Sequence, residues 1–150
     1  NGPTLITEYW NRPEASAETI VDGWLKSGDI GRIDEDGRIY VSDRVKDMVL
    51  RGGENIYCAE VEAAIYEIQS VYECSVYGVP DERLGERVAC HIMVKSGMKI
   101  NKLEIVEFLQ GKIASFKIPE TITIVDIPLP RNASGKILKR ELREEAIEGL

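Results

Sequence analysis

Residues 73–95, ECSVYGVPDERLGERVACHIMVK, contain the pattern that decides the fold. The runs ECSVYGV and RVACHIMVK both alternate with a period of two, as strands do when their two faces have different surroundings. The polar segment PDERLGE joins the two runs. We therefore expect two neighbouring antiparallel strands here.

The flanking segments predict three helices and one more strand. AEVEAAIYEIQSV (59–71) has helical spacing, and Asn101 with Glu104 forms an N-cap pair for a second helix. TITIVDI (121–127) predicts a strand that prolines end, and a last helix follows residue 136. The apolar residues of the three helical stripes are Val61, Ala64, Ile65, Ile68 and Val71; Ile105, Leu109 and Ile113; and Leu138, Leu142 and Ala146.

The N-terminal part differs from this pattern. DIGRIDEDGRIYVSD (29–43) has two β-prone runs around an Asp-Glu-Asp-Gly turn and predicts a hairpin of Ile30–Ile33 with Arg38–Val41. The first ~25 residues lack a clear period, so we expect them to pack against something else. The predicted class is α+β: a small domain with a short hairpin and a three-stranded sheet packed by helices, whose compact part begins near residue 46.

Composition excludes several classes of function. The 150 residues have a net charge of −7 and a pI of about 4.9, which argues against a nucleic-acid surface. No apolar run reaches the ~20 residues that span a bilayer, and no signal peptide is visible, so we expect a cytoplasmic protein without a transmembrane segment. Cys58, Cys74 and Cys90 form no CxxC pair, and the single His91 cannot build a metal site, so we expect structural roles and no metal.

LPRNASGKILKREL (129–142) places Lys136 after a glycine and before a predicted helix. It is not a nucleotide phosphate loop, because Pro130 replaces the first glycine of that motif and Ile137 replaces its magnesium-binding hydroxyl. Lys136 can still be a lysine that contacts a phosphate in another way.

Three segments together resemble the C-terminal part of the adenylate-forming (AMP-binding) enzymes, the superfamily of acyl-CoA synthetases, carrier-protein adenylation domains and beetle luciferases. GWLKSGDIG (23–31) resembles the Trp-x-x-Thr-Gly-Asp element of that superfamily, with Ser27 in place of the threonine. SDRVKDMVLRGGENIYCAEVE (42–62) resembles the hinge and glycine-turn element, and residues 129–142 resemble the closing lysine element. The form GGENIY followed by Ala-Glu-Val-Glu is closest to fatty and aromatic acid–CoA ligases.

The resemblance implies a role for each matching residue. Asp29 would accept hydrogen bonds from the ribose hydroxyls of ATP with the support of Arg44, and Lys46 would be the hinge of a mobile C-terminal domain. Lys136 would contact the carboxylate being activated and the α-phosphate during adenylation. After the domain rotates, Gly52 and Gly53 would line the tunnel for the pantetheine arm of the thiol acceptor.

Each of these residues also has a simpler interpretation. Asp29 and the glycine pair can be turn residues, and Arg44 an ordinary surface arginine. Lys136 can be a solvated lysine in a basic run with Lys139, Arg140 and Arg143. The order and spacing of three separate segments favour the functional interpretation.

The resemblance also implies what lies outside these residues. The phosphate loop of the superfamily, its Tyr-Gly-x-Thr-Glu element and an acid pocket do not occur here. We therefore expect residues 1–45 to be the tail end of a large N-terminal adenylation domain and 46–150 to be the C-terminal domain that packs on it. The implied parent is an ATP-dependent acid–CoA ligase that uses a carboxylic acid, ATP, CoA and Mg²⁺, with the ion bound mainly by the absent domain. This chain alone would be inactive. A carrier-protein-dependent enzyme and a non-catalytic binding module are the alternatives.

Overall fold

The computed structural model describes residues 2–149. The chain divides into two compact units, Asn1–Lys46 and Asp47–Leu150. The elements of the first unit are α1 (Pro13–Thr19), β1 (Ile20–Val21), β2 (Trp24–Leu25), β3 (Asp29–Ile33) and β4 (Ile39–Arg44). A 3-10 turn, Val45–Asp47, follows β4.

The predicted hairpin is confirmed as the antiparallel pair β3–β4. The carboxylate of Asp34 organises its turn by accepting hydrogen bonds from the backbone N–H groups of Asp36 (3.0 Å) and Arg38 (2.8 Å). β1 and β2 form a separate two-stranded ribbon. Among the described residues, every buried apolar side chain lies from Val49 onward. In the first unit Trp10 is 87% exposed and Trp24 61% exposed, so this unit has no buried core of its own.

The second unit has one sheet and three helices among the described residues. Its elements are β5 (Val49–Arg51), β6 (Glu54–Ile56), α2 (Cys58–Tyr66), β7 (Val71–Asp81), β8 (Gly85–Val94), α3 (Lys102–Leu109), a 3-10 turn (Ser115–Lys117), β9 (Thr121–Val125) and α4 (Lys139–Glu148). No described helix is both long enough and apolar enough to cross a membrane.

The sheet confirms the α+β class and contains the three predicted strands. β7 and β8 are antiparallel, and β9 adds to β8 in parallel. The short hairpin β5–β6 extends the sheet to five strands by pairing Arg51 with Gly85. These two strands are only three residues long, too short for a period-two pattern to be visible in the sequence.

The helices differ slightly from their predicted bounds. α3 begins with the expected capping box: Asn101 Oδ1 accepts from Glu104 N at 3.0 Å, and Asn101 N donates to Glu104 Oε2 at 2.8 Å. It ends at Leu109, so Ile113 lies beyond it. α2 ends at Tyr66, because the chain turns there to enter β7.

Alternate residues of β7 and β8 enter two different apolar clusters. One cluster contains Val76 and Cys90 and packs under α2 and α3, whereas the other contains Tyr77 and Ala89 and packs under α4. The sheet is therefore covered on both faces. Such a two-sided core holds the loops at its edges in fixed positions.

The three cysteines and His91 are buried, as expected for structural residues. Burial raises the pKa of the Cys74 thiol to about 12, so this thiol stays neutral. The Tyr77 hydroxyl lies 2.5 Å from His91 Nδ1, and Glu145 Oε2 lies 3.5 Å from His91 Nε2. Burial lowers the pKa of His91, although the Glu145 carboxylate opposes this shift. The lowered pKa favours the neutral imidazole.

The outer edge of β7 is closed by side chains. Glu62 Oε1 accepts from Val76 N at 2.8 Å, Lys139 Nζ donates to Val76 O at 2.8 Å, and Cys74 N donates to the Tyr66 hydroxyl at 3.2 Å. These contacts occupy backbone groups that an added strand would need. They also connect α2 and α4 to the strand that lies between them.

Candidate functional site

Lys136 lies in a closed loop, residues 130–138, called the lysine loop below. Leu138 N donates to Pro130 O at 2.8 Å, and Asn132 N donates to Lys136 O at 3.0 Å. A bridge between Arg131 and Ile137 completes this hairpin-like frame. Gly135 has a φ of +81°, a conformation that glycine adopts without strain. The loop therefore has a defined shape although its tip is exposed.

The side chain of Asn132 organises the inside of the lysine loop. Its Oδ1 atom accepts hydrogen bonds from Ser134 N (3.1 Å), Ser134 Oγ (2.8 Å) and Lys136 N (2.9 Å). One acceptor thus binds the backbone of Lys136 and the residue two positions before it. This Asx arrangement positions the lysine through its main chain and leaves its side chain free to extend.

Glu73 attaches the lysine loop to the sheet. Its side chain is only 7% exposed, Oε1 accepts from Leu129 N at 2.7 Å, and Oε2 is bound by Arg131 Nη2. The other nitrogen, Arg131 Nη1, donates to Gly135 O at 2.7 Å. Glu73 is not among the site residues that the sequence predicted. The signal that could have found it is a carboxylate at the start of an otherwise apolar strand, because a buried charge requires a partner.

The two lysines near this loop have different surroundings. Within residues 2–149 the ammonium group of Lys136 has no ion-pair or hydrogen-bond partner, and its side chain is exposed. Lys139 Nζ is held by Glu62 Oε1 at 2.9 Å and by Val76 O at 2.8 Å. Lys139 therefore has a structural role, whereas Lys136 is available to an anionic ligand.

Asp29 and Arg44 are brought together by the hairpin register. They pair across β3 and β4, and Arg44 Nε lies 3.3 Å from Asp29 Oδ1. The Ser27 hydroxyl accepts a hydrogen bond from Asp29 N at 3.2 Å. The Asp29 side chain is 31% exposed, so this carboxylate is partly accessible to hydroxyl donors.

Gly52 and Gly53 form the turn between β5 and β6, called the glycine turn below. Their φ angles are +59° and +92°, which side chains rarely permit. Gly52 N donates to Leu84 O at 2.8 Å, and a Cβ atom on Gly52 would lie 3.2 Å from the Leu84 side chain. A Cβ atom on Gly53 would meet nothing within 4 Å. Only Gly53 therefore faces open space at this turn.

The predicted site residues are divided between the two units. Asp29 and Arg44 belong to the first unit, Lys46 is its last residue, and both functional loops of the second unit follow it. Lys46 lies within the 3-10 turn Val45–Asp47. Among the described residues no group of three or more His, Cys, Asp or Glu side chains could hold a metal ion.

Comparison with known proteins identifies the class. The family model of the AMP-binding enzyme C-terminal domain matches residues 60–136. The chain therefore belongs to the C-terminal domain family of the AMP-binding, adenylate-forming enzymes.

Two similar curated proteins are named as ligases. The long-chain-fatty-acid–CoA ligase FadD13 of Mycobacterium tuberculosis is 44% identical over 94% of this chain and 28% of its own length. The fatty acid–[acyl-carrier-protein] ligase ScoC of Streptomyces coeruleorubidus is 44% identical over 95% of this chain and 27% of its own length. ATP-bound MatB of Rhodopseudomonas palustris is 37% identical, with a TM-score of 0.90 over 97% of this chain and 29% of that structure. The chain thus spans less than a third of these relatives.

Proposed function

We propose that this chain is the C-terminal part of an ATP-dependent acid–CoA ligase that works in two half-reactions. In the first, a carboxylate and ATP give an acyl-AMP and pyrophosphate. In the second, the thiol of CoA displaces AMP and forms the thioester. The single observation that best supports this proposal is that Lys136 is exposed and has no partner within residues 2–149, on a loop whose backbone is fixed by Asn132.

Lys136 suits the adenylation step for an electrostatic reason. Negative charge accumulates between the attacking carboxylate and the α-phosphate, and an ammonium group with three donors can bind both. Because hydrogen bonds within the protein already fix the main chain of the lysine loop, only the side chain of Lys136 has to be ordered when the substrates bind.

Asp29, Arg44 and Lys46 have supporting roles in the proposal. Asp29 would bind the ribose hydroxyls of ATP, with Arg44 holding one carboxylate oxygen and leaving the other for the ligand. Lys46 would be the hinge, since it lies at the division between the two units. Mg²⁺ would be bound by the large domain that relatives possess outside this region.

The glycine turn suits the thioester step. Gly53 faces open space and has no side chain to obstruct a pantetheine arm. Any other residue there would narrow the path for the thiol and strain the backbone at a φ of +92°.

The identity of the thiol acceptor has two candidates. ScoC, named as a ligase for an acyl carrier protein, is as similar to this chain as the CoA ligase FadD13, at 44% identity each. A carrier-protein-dependent enzyme is therefore the second candidate function. We prefer free CoA because of the GGENIY form of the glycine turn, which is typical of acid–CoA ligases.

The test is pyrophosphate release by the full-length protein with ATP and a panel of carboxylic acids, with and without CoA. Acid-dependent release followed by a CoA thioester is the expected result. Release with thioester formation only on a phosphopantetheinyl protein would select the second candidate. No release with any acid would contradict both and favour a non-catalytic binding module.

A further inference from the structure

Glu73 and Arg131 connect the sheet to the residue beside Lys136. We infer that they form an anchor for the lysine loop and act as positioning residues for adenylation. This inference rests on the proposed role of Lys136.

The carboxylate of Glu73 is buried with both oxygens engaged. The Glu73 side chain is 7% exposed, and its two partners, Leu129 N and the Arg131 guanidinium group, lie at the base of the lysine loop. A protein is strongly destabilised when a buried carboxylate loses a partner. The arrangement in which Glu73 keeps both of its partners is therefore favoured.

The guanidinium group of Arg131 connects Glu73 to the tip of the lysine loop. One terminal nitrogen binds Glu73, and the other donates to the carbonyl of Gly135 at 2.7 Å. The guanidinium group is planar and rigid, so the position of Glu73 determines the position of that carbonyl. The next residue along the chain is Lys136. Asn132 shapes the inside of the loop, whereas Glu73 and Arg131 fix where the loop stands on the sheet.

The rival interpretation is that Arg131 binds a phosphate of the nucleotide directly. Its side chain is 43% exposed, but both terminal nitrogens already have partners within the protein. Charged hydrogen bonds of this kind are among the stronger ones, so replacing them with a ligand would have a cost. The contacts therefore favour a positioning role.

A double-mutant cycle in the full-length protein tests this inference. The variants are Arg131→Met, Arg131→Lys, Glu73→Gln, Lys136→Ala and the combination of Arg131→Met with Lys136→Ala. Acid-dependent pyrophosphate release measures adenylation, and thioester formation from a supplied acyl-AMP measures the second half-reaction. Lys117→Met is the matched control, because it breaks the ion pair of Lys117 with Glu60 (2.6 and 2.8 Å) between the Ser115–Lys117 turn and α2.

We expect Arg131→Met to lower kcat for adenylation by about 30-fold, with a much smaller change in the KM for ATP. Arg131→Lys should recover only a part of the loss, because an ammonium group cannot bind Glu73 and Gly135 O in one plane. In the Lys136→Ala background Arg131→Met should cause no further loss, since the anchor acts through that lysine. The control should adenylate normally.

Three results would overturn the anchor. The adenylation rate of Arg131→Met could equal that of the control variant. The losses of adenylation caused by Arg131→Met and Lys136→Ala could multiply in the double variant, or Arg131→Met could lower both half-reactions together, as in a misfolded protein. If Glu73→Gln does not fold, the half-exposed Arg131 still provides the test. Normal adenylation by Lys136→Ala would overturn the proposed function of Lys136 together with its anchor, whereas loss in Lys136→Ala with a normal Arg131→Met would overturn the anchor alone.

Discussion

The lysine loop and the glycine turn belong to the same sheet-based unit but are built in different ways. The lysine loop is fixed by side chains: Asn132 from inside, and Glu73 with Arg131 from the sheet. The glycine turn is shaped by positive φ angles that side chains rarely permit, and Gly52 N donates to Leu84 O. In the proposed function one loop would deliver a charge and the other would leave space, and the two kinds of construction suit these two tasks.

The two loops nevertheless share a support. Glu86 Oε2 accepts from Leu50 N beside the glycine turn at 2.9 Å, while Glu86 Oε1 accepts from Arg143 in α4 at 3.0 Å. α4 begins directly after the lysine loop. The two loops therefore differ in the residues that shape each of them, and not in the sheet that supports them. Substitutions within one loop should separate the proposed role in adenylation from the proposed role in thioester formation.

Apart from the loss expected for Lys136→Ala, the largest expected effect is that of Gly53→Val. A branched side chain would occupy the open space and strain a backbone at φ +92°, so thioester formation should fall by about 100-fold while adenylation changes little. Gly97→Val is the matched control, because Gly97 has a φ of +77° and also faces open space. Both half-reactions should be measured. Equal losses in the two variants would show that strain alone explains the effect.

Lys46→Pro should have the next largest effect. If the two loops act in turn, the chain must reorient near Lys46, and a proline there fixes φ. Thioester formation should fall by about 30-fold, and adenylation should fall far less. Lys46→Ala, which keeps the backbone free, should lose much less than Lys46→Pro. Equal loss of both half-reactions would contradict the hinge.

Asn132→Ala should have a smaller effect, confined to adenylation. It removes the acceptor of three hydrogen bonds in the lysine loop, so adenylation should fall by about tenfold. Asn132→Asp retains an acceptor oxygen and should lose less. The comparison between the loops fails if Asn132→Ala impairs thioester formation to the same degree.

The smallest effect on activity is expected for Asn101→Ala. This variant removes the capping box of α3 and should lower the free energy of unfolding by about 1 kcal/mol, measured by urea denaturation. Both half-reactions should proceed at their normal rates in the folded variant. A selective loss of one half-reaction would show that α3 contributes to a loop.

The sequence predicted those parts of the fold that depend on neighbours along the chain. The β7–β8 pair and the Asn101–Glu104 box are set by residues close in sequence, and both are confirmed. The hairpin β5–β6 was missed because its strands are too short to show a period. Contacts between distant residues were also missed, above all that of Glu73 with Arg131, which lie 58 positions apart. No pattern along the chain indicates which buried carboxylate will meet which arginine.

The central claim is that Lys136 is the lysine of the adenylation step. The most direct measurement is the rate of each half-reaction in full-length Lys136→Ala. Acid-dependent pyrophosphate release should fall by about 100-fold to 1,000-fold, while thioester formation from supplied acyl-AMP should be retained. Pyrophosphate release at the normal rate, or an equal loss of both half-reactions, would contradict the claim.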